Sequence, residues 1–150
     1  MDDIDLRLLR ILQRTALMSI AEIAEKVGLS HTPCWRRIRR LEAAGVITGR
    51  VTILDPDKVG LPVSVFANVT MVSHSKTALT SFERAVERQP EIVDCYSVTG
   101  ASDYLLRISV PDVAAYERYL KEQLVHLPNV DQVHSSFALR EVKHTTELPI

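Results

Sequence analysis

The sequence predicts an α+β chain in two parts: a three-helix head over residues 1–60 and a β-α-β-β-α-β sheet domain over residues 61–150. Two observations point there. Apolar residues recur at helical spacing three times before Gly45, and period-two alternation begins only at Val63. Charge is also divided unevenly. Residues 1–60 hold ten Lys/Arg against eight Asp/Glu, whereas residues 61–150 hold eight against eleven, so the overall net charge of −1 averages two unlike halves. At 150 residues, with 46% apolar and 25% charged, the chain suits one large or two small globular domains.

The first helix is predicted over residues 3–14, with Ile4, Leu8, Ile11 and Leu12 on one face. Asp2 and Asp3 stand where carboxylates cap a helix and meet its positive end. The second, over residues 19–27, buries Ile20, Ile23, Ala24 and Val27, and opens with Ser19 and Glu22 in a capping box. Gly28 ends it by accepting the left-handed conformation. A third helix, capped by Ser30, is predicted to run to about Ala44.

At 100° per residue, Cys34, Ile38 and Leu41 of that third helix fall within about 60° of one another and make its buried stripe. Thr32, Arg36 and Arg39 lie opposite, flanked by Trp35 and Arg40. Helix, glycine turn and helix with a basic outer face is the helix-turn-helix, which lays its second helix in the major groove of double-stranded DNA. Arginine contacts guanine bidentately or pairs with phosphate, and Thr32 sits near the helix start, where side chains reach base edges. Trp35 is placed beside the arginines as a surface contact. His31 is open to two readings, a DNA contact or a merely exposed side chain. Within residues 30–50, Arg36, Arg37, Arg39, Arg40 and Arg50 face only Glu42, one basic spot on a near-neutral chain.

Residues 46–54 are β-branched and interrupted by Gly49, which predicts a linking strand; Asp55–Lys58 is a turn. The alternation from Val63 to Met71 predicts a first strand. A helix follows over residues 77–89 with Leu79, Phe82 and Val86 inward, then strands at 92–99 and 104–110. Between those strands, Gly100-Ala101-Ser102-Asp103 is a turn by composition. Asp112 caps a helix bearing Val113, Tyr116, Leu120 and Leu124. A last strand is predicted from Val130 to Val142, with Val133, Phe137 and Leu139 inward. That order is ferredoxin-like. Two helices cover one sheet face, and the bare face predicts self-association.

The chain resembles the leucine-responsive regulator/AsnC family of bacterial and archaeal transcription regulators. The residues that carry the resemblance are Asp2 to Gln13, Val27 to Cys34, Arg39 to Ile47, Thr99 to Leu106, and Pro111-Asp112. The resemblance implies a winged helix-turn-helix joined by a strand to a ligand-sensing domain, and homodimers that assemble into octamers and wrap or bend DNA. It implies a free amino acid as effector, of leucine, methionine or cysteine type, held between dimers at a Gly-x-x-Asp-Tyr turn. Carried onto this sequence, that wall is Thr99, Gly100, Asp103 and Tyr104. Gly100 lets the backbone approach a ligand closely, and Asp103 offers a carboxylate to an ammonium group or caps the turn. Ser135 and Ser136 on the last strand are further polar candidates.

Other classes have less support. The histidines show no metal spacing with Cys34 and Cys95, and no phosphate-binding glycine loop occurs, so neither an enzyme, a metal nor a cofactor is expected. Two distant thiols make no disulfide framework and fit a reducing cytoplasm. With no apolar run of roughly 18 residues, and acidic residues straight after Met1, neither a membrane span nor a secretory signal is expected. The remaining alternative is an amino-acid-sensing subunit acting on an enzyme, against which the basic helix speaks.

Overall fold

The computed structural model describes residues 1–15 and 17–150. Two compact units result, one formed by Met1–Ile53 with Val142–Ile150 and the other by Leu54–Glu141. The division expected at residue 60 thus differs at Leu54–Gly60 and at the last nine residues.

The first unit holds α1 (Asp3–Leu12), α2 (Ile20–Val27) and α3 (His31–Ala43). Asp2 and Asp5 cap α1 reciprocally, as Ser19 and Glu22 cap α2. Gly28 adopts φ +73°, which turns the chain so that the Leu29 N–H reaches the Ala24 carbonyl at 2.9 Å. Ser30 occupies the position before α3, but its side chain makes no capping hydrogen bond, contrary to expectation. Leu8, Ile23, Ala24, Val27, Cys34 and Ile38 form the core.

Residues 46–54 form no strand, which corrects the expected linking strand. The cause is local. The Val46 and Ile47 N–H groups turn back to the Leu41 carbonyl at 3.0 and 3.2 Å and close α3 instead of joining a ladder. The segment 142–150 lies along α1. Gln13 exchanges two hydrogen bonds with the Leu148 backbone, Arg14 pairs with Glu147 at 2.7 Å, and Arg10 donates to the Ile150 carbonyl.

The second unit runs β1 (Val63–Met71), α4 (Lys76–Val86), β2 (Ile92–Ser97), β3 (Tyr104–Val110), α5 (Val113–Glu122), a 3-10 turn (Leu124–His126) and β4 (Val130–Phe137). The strand order is β2-β3-β1-β4, with every pairing antiparallel. Val65, Ala67, Val69, Leu106 and Ile108 are buried with Phe82, Tyr116 and Leu124 under the helices. Directly paired residues share a face. Phe66, Leu105, Arg107, Tyr96 and Ser136 therefore lie together on the uncovered side.

One inward assignment fails. Leu139 is 99% exposed because β4 stops at Phe137, opposite Val65, close to where β1 begins after Pro62. Val113 is exposed at the first turn of α5, and Tyr119 is buried on that helix.

Candidate functional site

The outer face of α3 exposes His31, Thr32, Trp35, Arg36, Arg39 and Arg40, just after an exposed Ser30. Cys34, Ile38 and Leu41 hold the opposite stripe against the core, so this face is fixed by packing.

Its charge differs from the sequence count. Asp5 of α1, 1% exposed, receives Arg40 at 2.6 Å and Arg37 at 2.8 Å, and Asp2 takes Arg37 at 2.6 Å. Burial pushes the Asp5 carboxyl up. The Asp2 N–H and the two guanidinium groups outweigh that and hold it below its ordinary value. Two of the arginines counted as facing only Glu42 are thus neutralised by carboxylates some thirty residues away in sequence. Glu42 itself binds both Arg39 and Arg50 at 3.0 Å. Arg39 also lies over the Trp35 ring at 5.7 Å, a cation–π contact that steers it along the surface. Arg36 makes no ion pair among the described residues. Arg40, though exposed, ties α3 to α1.

In the second unit, the hairpin turn between β2 and β3 presents Thr99 and Gly100 to solvent, with Gly100 at φ +115°. That conformation favours glycine, so the turn's shape depends on it. The turn is anchored by the Val98 N–H on the Asp103 carbonyl and the Asp103 N–H on the Val69 carbonyl, both 2.9 Å.

The Asp103 carboxylate is already engaged. Oδ2 accepts the Met71 N–H at 2.8 Å and Oδ1 meets His74 Nε2 at 2.7 Å. The Met71 N–H, then His74, holds its carboxyl below the ordinary range.

Tyr104 does not line the turn. It is 3% exposed, its ring lies 4.7 Å from Phe82, and its hydroxyl donates to Glu83; burial, then Glu83, pushes that hydroxyl's pKa well up. The two serines part company. Ser135 pairs across from Ala67 on the helix side and hydrogen-bonds Tyr116, while Ser136 pairs across from Phe66 on the bare side.

Two residues absent from the sequence reading of this site belong beside it. One is His74, which meets Asp103. Asn129, at φ +65°, donates to the Ser73 carbonyl at 2.6 Å and accepts the Ser73 N–H at 3.0 Å. The signal for Asn129 was present, since asparagine after Pro128 tolerates the left-handed region. No sequence spacing brings His74 to Asp103. Among the described residues no cluster of three metal-ligating side chains occurs, and no helix is long and apolar enough to cross a membrane.

A helix held so that its apolar stripe is buried and its cations face outward, on a unit separate from the sheet, defines the class: a DNA-binding regulator with a second, sensing domain. Residues 1–48 match the winged helix-turn-helix DNA-binding family, and residues 64–148 match the Lrp/AsnC ligand binding domain. The chain is 43% identical over 150 residues to the glutamate uptake regulatory protein of Zymomonas mobilis, covering all of this chain and 91% of that one. Among solved structures it is similar to an AsnC family transcriptional regulator from Agrobacterium tumefaciens. That match has a TM-score of 0.94 and 46% identity, over 99% of this chain and 97% of that one. A transcriptional regulator of Neisseria meningitidis, solved as an L-Met complex, matches with a TM-score of 0.93 and 35% identity over 99% and 96% of the two chains.

The chain belongs to the Lrp/AsnC family of transcription regulators. It is a DNA-binding transcription regulator with a ligand-binding domain, not an enzyme, and the alternative of an enzyme's sensing subunit falls away.

Proposed function

We propose that α3 reads operator DNA chiefly through Thr32, Arg36 and Arg39, and that a free amino acid at the Gly100–Asp103 turn modulates this binding. The observation that carries the first half is the sorting of arginines on α3. Arg37 and Arg40 are committed to Asp5, while Arg36, on the outward face, has no ion-pair partner among the described residues. Ser30, His31 and Trp35 border that face and take backbone or van der Waals contacts.

The second half is supported by the glycine turn with Asp103 at its base, and by the L-Met complex of the Neisseria protein. The effector class is an apolar or sulfur-bearing amino acid of leucine, methionine or cysteine type. Thr99 and Gly100 supply backbone groups, and Ser136 faces the side from which a second copy would approach. The protein acts in the cytoplasm as a homodimer joined through the bare sheet face, and the family resemblance extends this to octamers.

A gel shift with the DNA upstream of the protein's own gene, repeated with each of the twenty amino acids, tests the reading. A specific shift that one amino acid alters is expected. No binding above that to unrelated DNA would refute it.

A further inference from the structure

Residues 72–75, between β1 and α4, are clasped from two sides. Asn129 holds the Ser73 backbone by both amide atoms, and its carbonyl takes the Val72 N–H at 2.9 Å. Asn129 makes this clasp from φ +65°, a left-handed conformation that asparagine tolerates, and so fixes where the loop runs. The loop's position brings His74 against Asp103 at 2.7 Å, with the imidazole 66% exposed and the carboxylate 27% exposed. An ionised carboxylate only accepts, so His74 Nε2 carries the hydrogen of this bond. Nδ1 makes no hydrogen bond among the described residues. On β1, the hydroxyl of Thr70, one residue before Met71, is buried without a hydrogen-bond partner among them. Polar capacity therefore remains unfilled at this end of the sheet.

We propose that His74 and Asp103 together read both charged ends of an α-amino acid, the carboxylate of Asp103 taking the ammonium and a ring N–H of His74 taking the carboxylate. This rests on the amino-acid reading of the turn given above. Asp103 keeps one lone pair on Oδ1 beyond the one facing His74, and the exposed Nε2–H of His74 can turn from Asp103 to a ligand carboxylate. A lone carboxylate would accept any amine. Set beside an imidazole N–H, it selects for an anion within the length of one zwitterion. In the empty site the two groups satisfy each other, so the Asp103 charge is not stranded.

The test is calorimetry on the full chain with L-methionine and L-methioninamide, which lacks the carboxylate. Wild type, H74A and H74Q are compared, with circular dichroism confirming that each is folded. If another of the twenty amino acids proves to be the effector, that amino acid and its amide replace methionine. Wild type is expected to prefer the acid. Both variants are expected to bind the acid about tenfold to a hundredfold more weakly, the worth of a hydrogen bond to a charged group, while binding the amide as wild type does. Unchanged affinity for the acid in H74A, equal weakening for acid and amide, or a wild type that does not distinguish them overturns the proposal and leaves the amino-acid reading standing. A wild type that binds none of the twenty overturns both.

Discussion

The arginines between residues 36 and 50 have three different fates. Arg37 and Arg40 lock α3 to Asp5, Arg39 and Arg50 share Glu42, and Arg36 has no ion-pair partner among the described residues. Arg36→Ala should weaken operator binding by about 1–3 kcal/mol with unchanged thermal stability, because its side chain touches none of the core. Gel shifts beside thermal melts check both halves of that statement. Unchanged affinity at physiological salt would show that α3 does not read DNA through this face.

Asp5 predicts a pH dependence. Its folded pKa lies below the unfolded one, so its contribution is fully present above the unfolded value, about 3.9, and is lost as pH falls through the lowered folded value. Melting temperature should therefore drop as pH is lowered through that window, and Asp5→Asn should flatten part of the drop while lowering stability at neutral pH. An identical acid profile in the variant would contradict the assignment. The arginine face was legible in the sequence, but its neutralisation was not. Helical angles order residues along one helix, whereas Asp5 reaches Arg37 and Arg40 across 32 and 35 residues of chain.

At the scale of elements, helices whose caps and apolar stripes agree were readable nearly to the residue. The Ser19–Glu22 box and Gly28 bracket α2, and each does so by local hydrogen bonding that sequence exposes directly. Gly28→Ala should cost about 1–2 kcal/mol, since a Cβ at φ +73° strains the backbone even though open space surrounds it. Urea unfolding would show this as a lower midpoint, and no change would mean the turn relaxes to another conformation. Strand ends were less legible. The β-branched stretch 46–54 carries the composition of a strand, yet its first two N–H groups go to Leu41, and pairing is a property of two segments rather than one. The candidate ligand site was half legible for the same reason. The Gly100 turn shows in composition, while the loop that brings His74 to Asp103 depends on Asn129, 55 residues further along the chain.

For the whole molecule, the uncovered face of the sheet carries the consequence. Phe66 and Tyr96 are exposed there at 38% and 59%, beside the Arg107–Asp94 ion pair. Phe66→Asp should turn a dimer into a monomer at micromolar concentration without unfolding the sheet, because that side chain points away from the helical core. Sedimentation velocity decides it, and a wild type that sediments as a monomer would end the idea. If assembly links the two units, effector and DNA must alter each other's affinity by the same factor, commonly 1–3 kcal/mol. Titrating the effector in the presence and absence of operator checks that equality, and unequal factors would mean that the two bind to different assemblies.

The segment 142–150 that lies on α1 sets an order of events during synthesis. The helix is made before the sheet domain and its clasp after it, with 133 to 140 residues between the groups that join. At about 5–20 residues per second, a growing chain holds an unclasped α1 for on the order of ten seconds while the sheet domain emerges and folds. The head is thus completed only after the sheet domain, and a ribosome halted after Glu141 leaves a ligand-binding domain attached to an unfinished DNA-binding head.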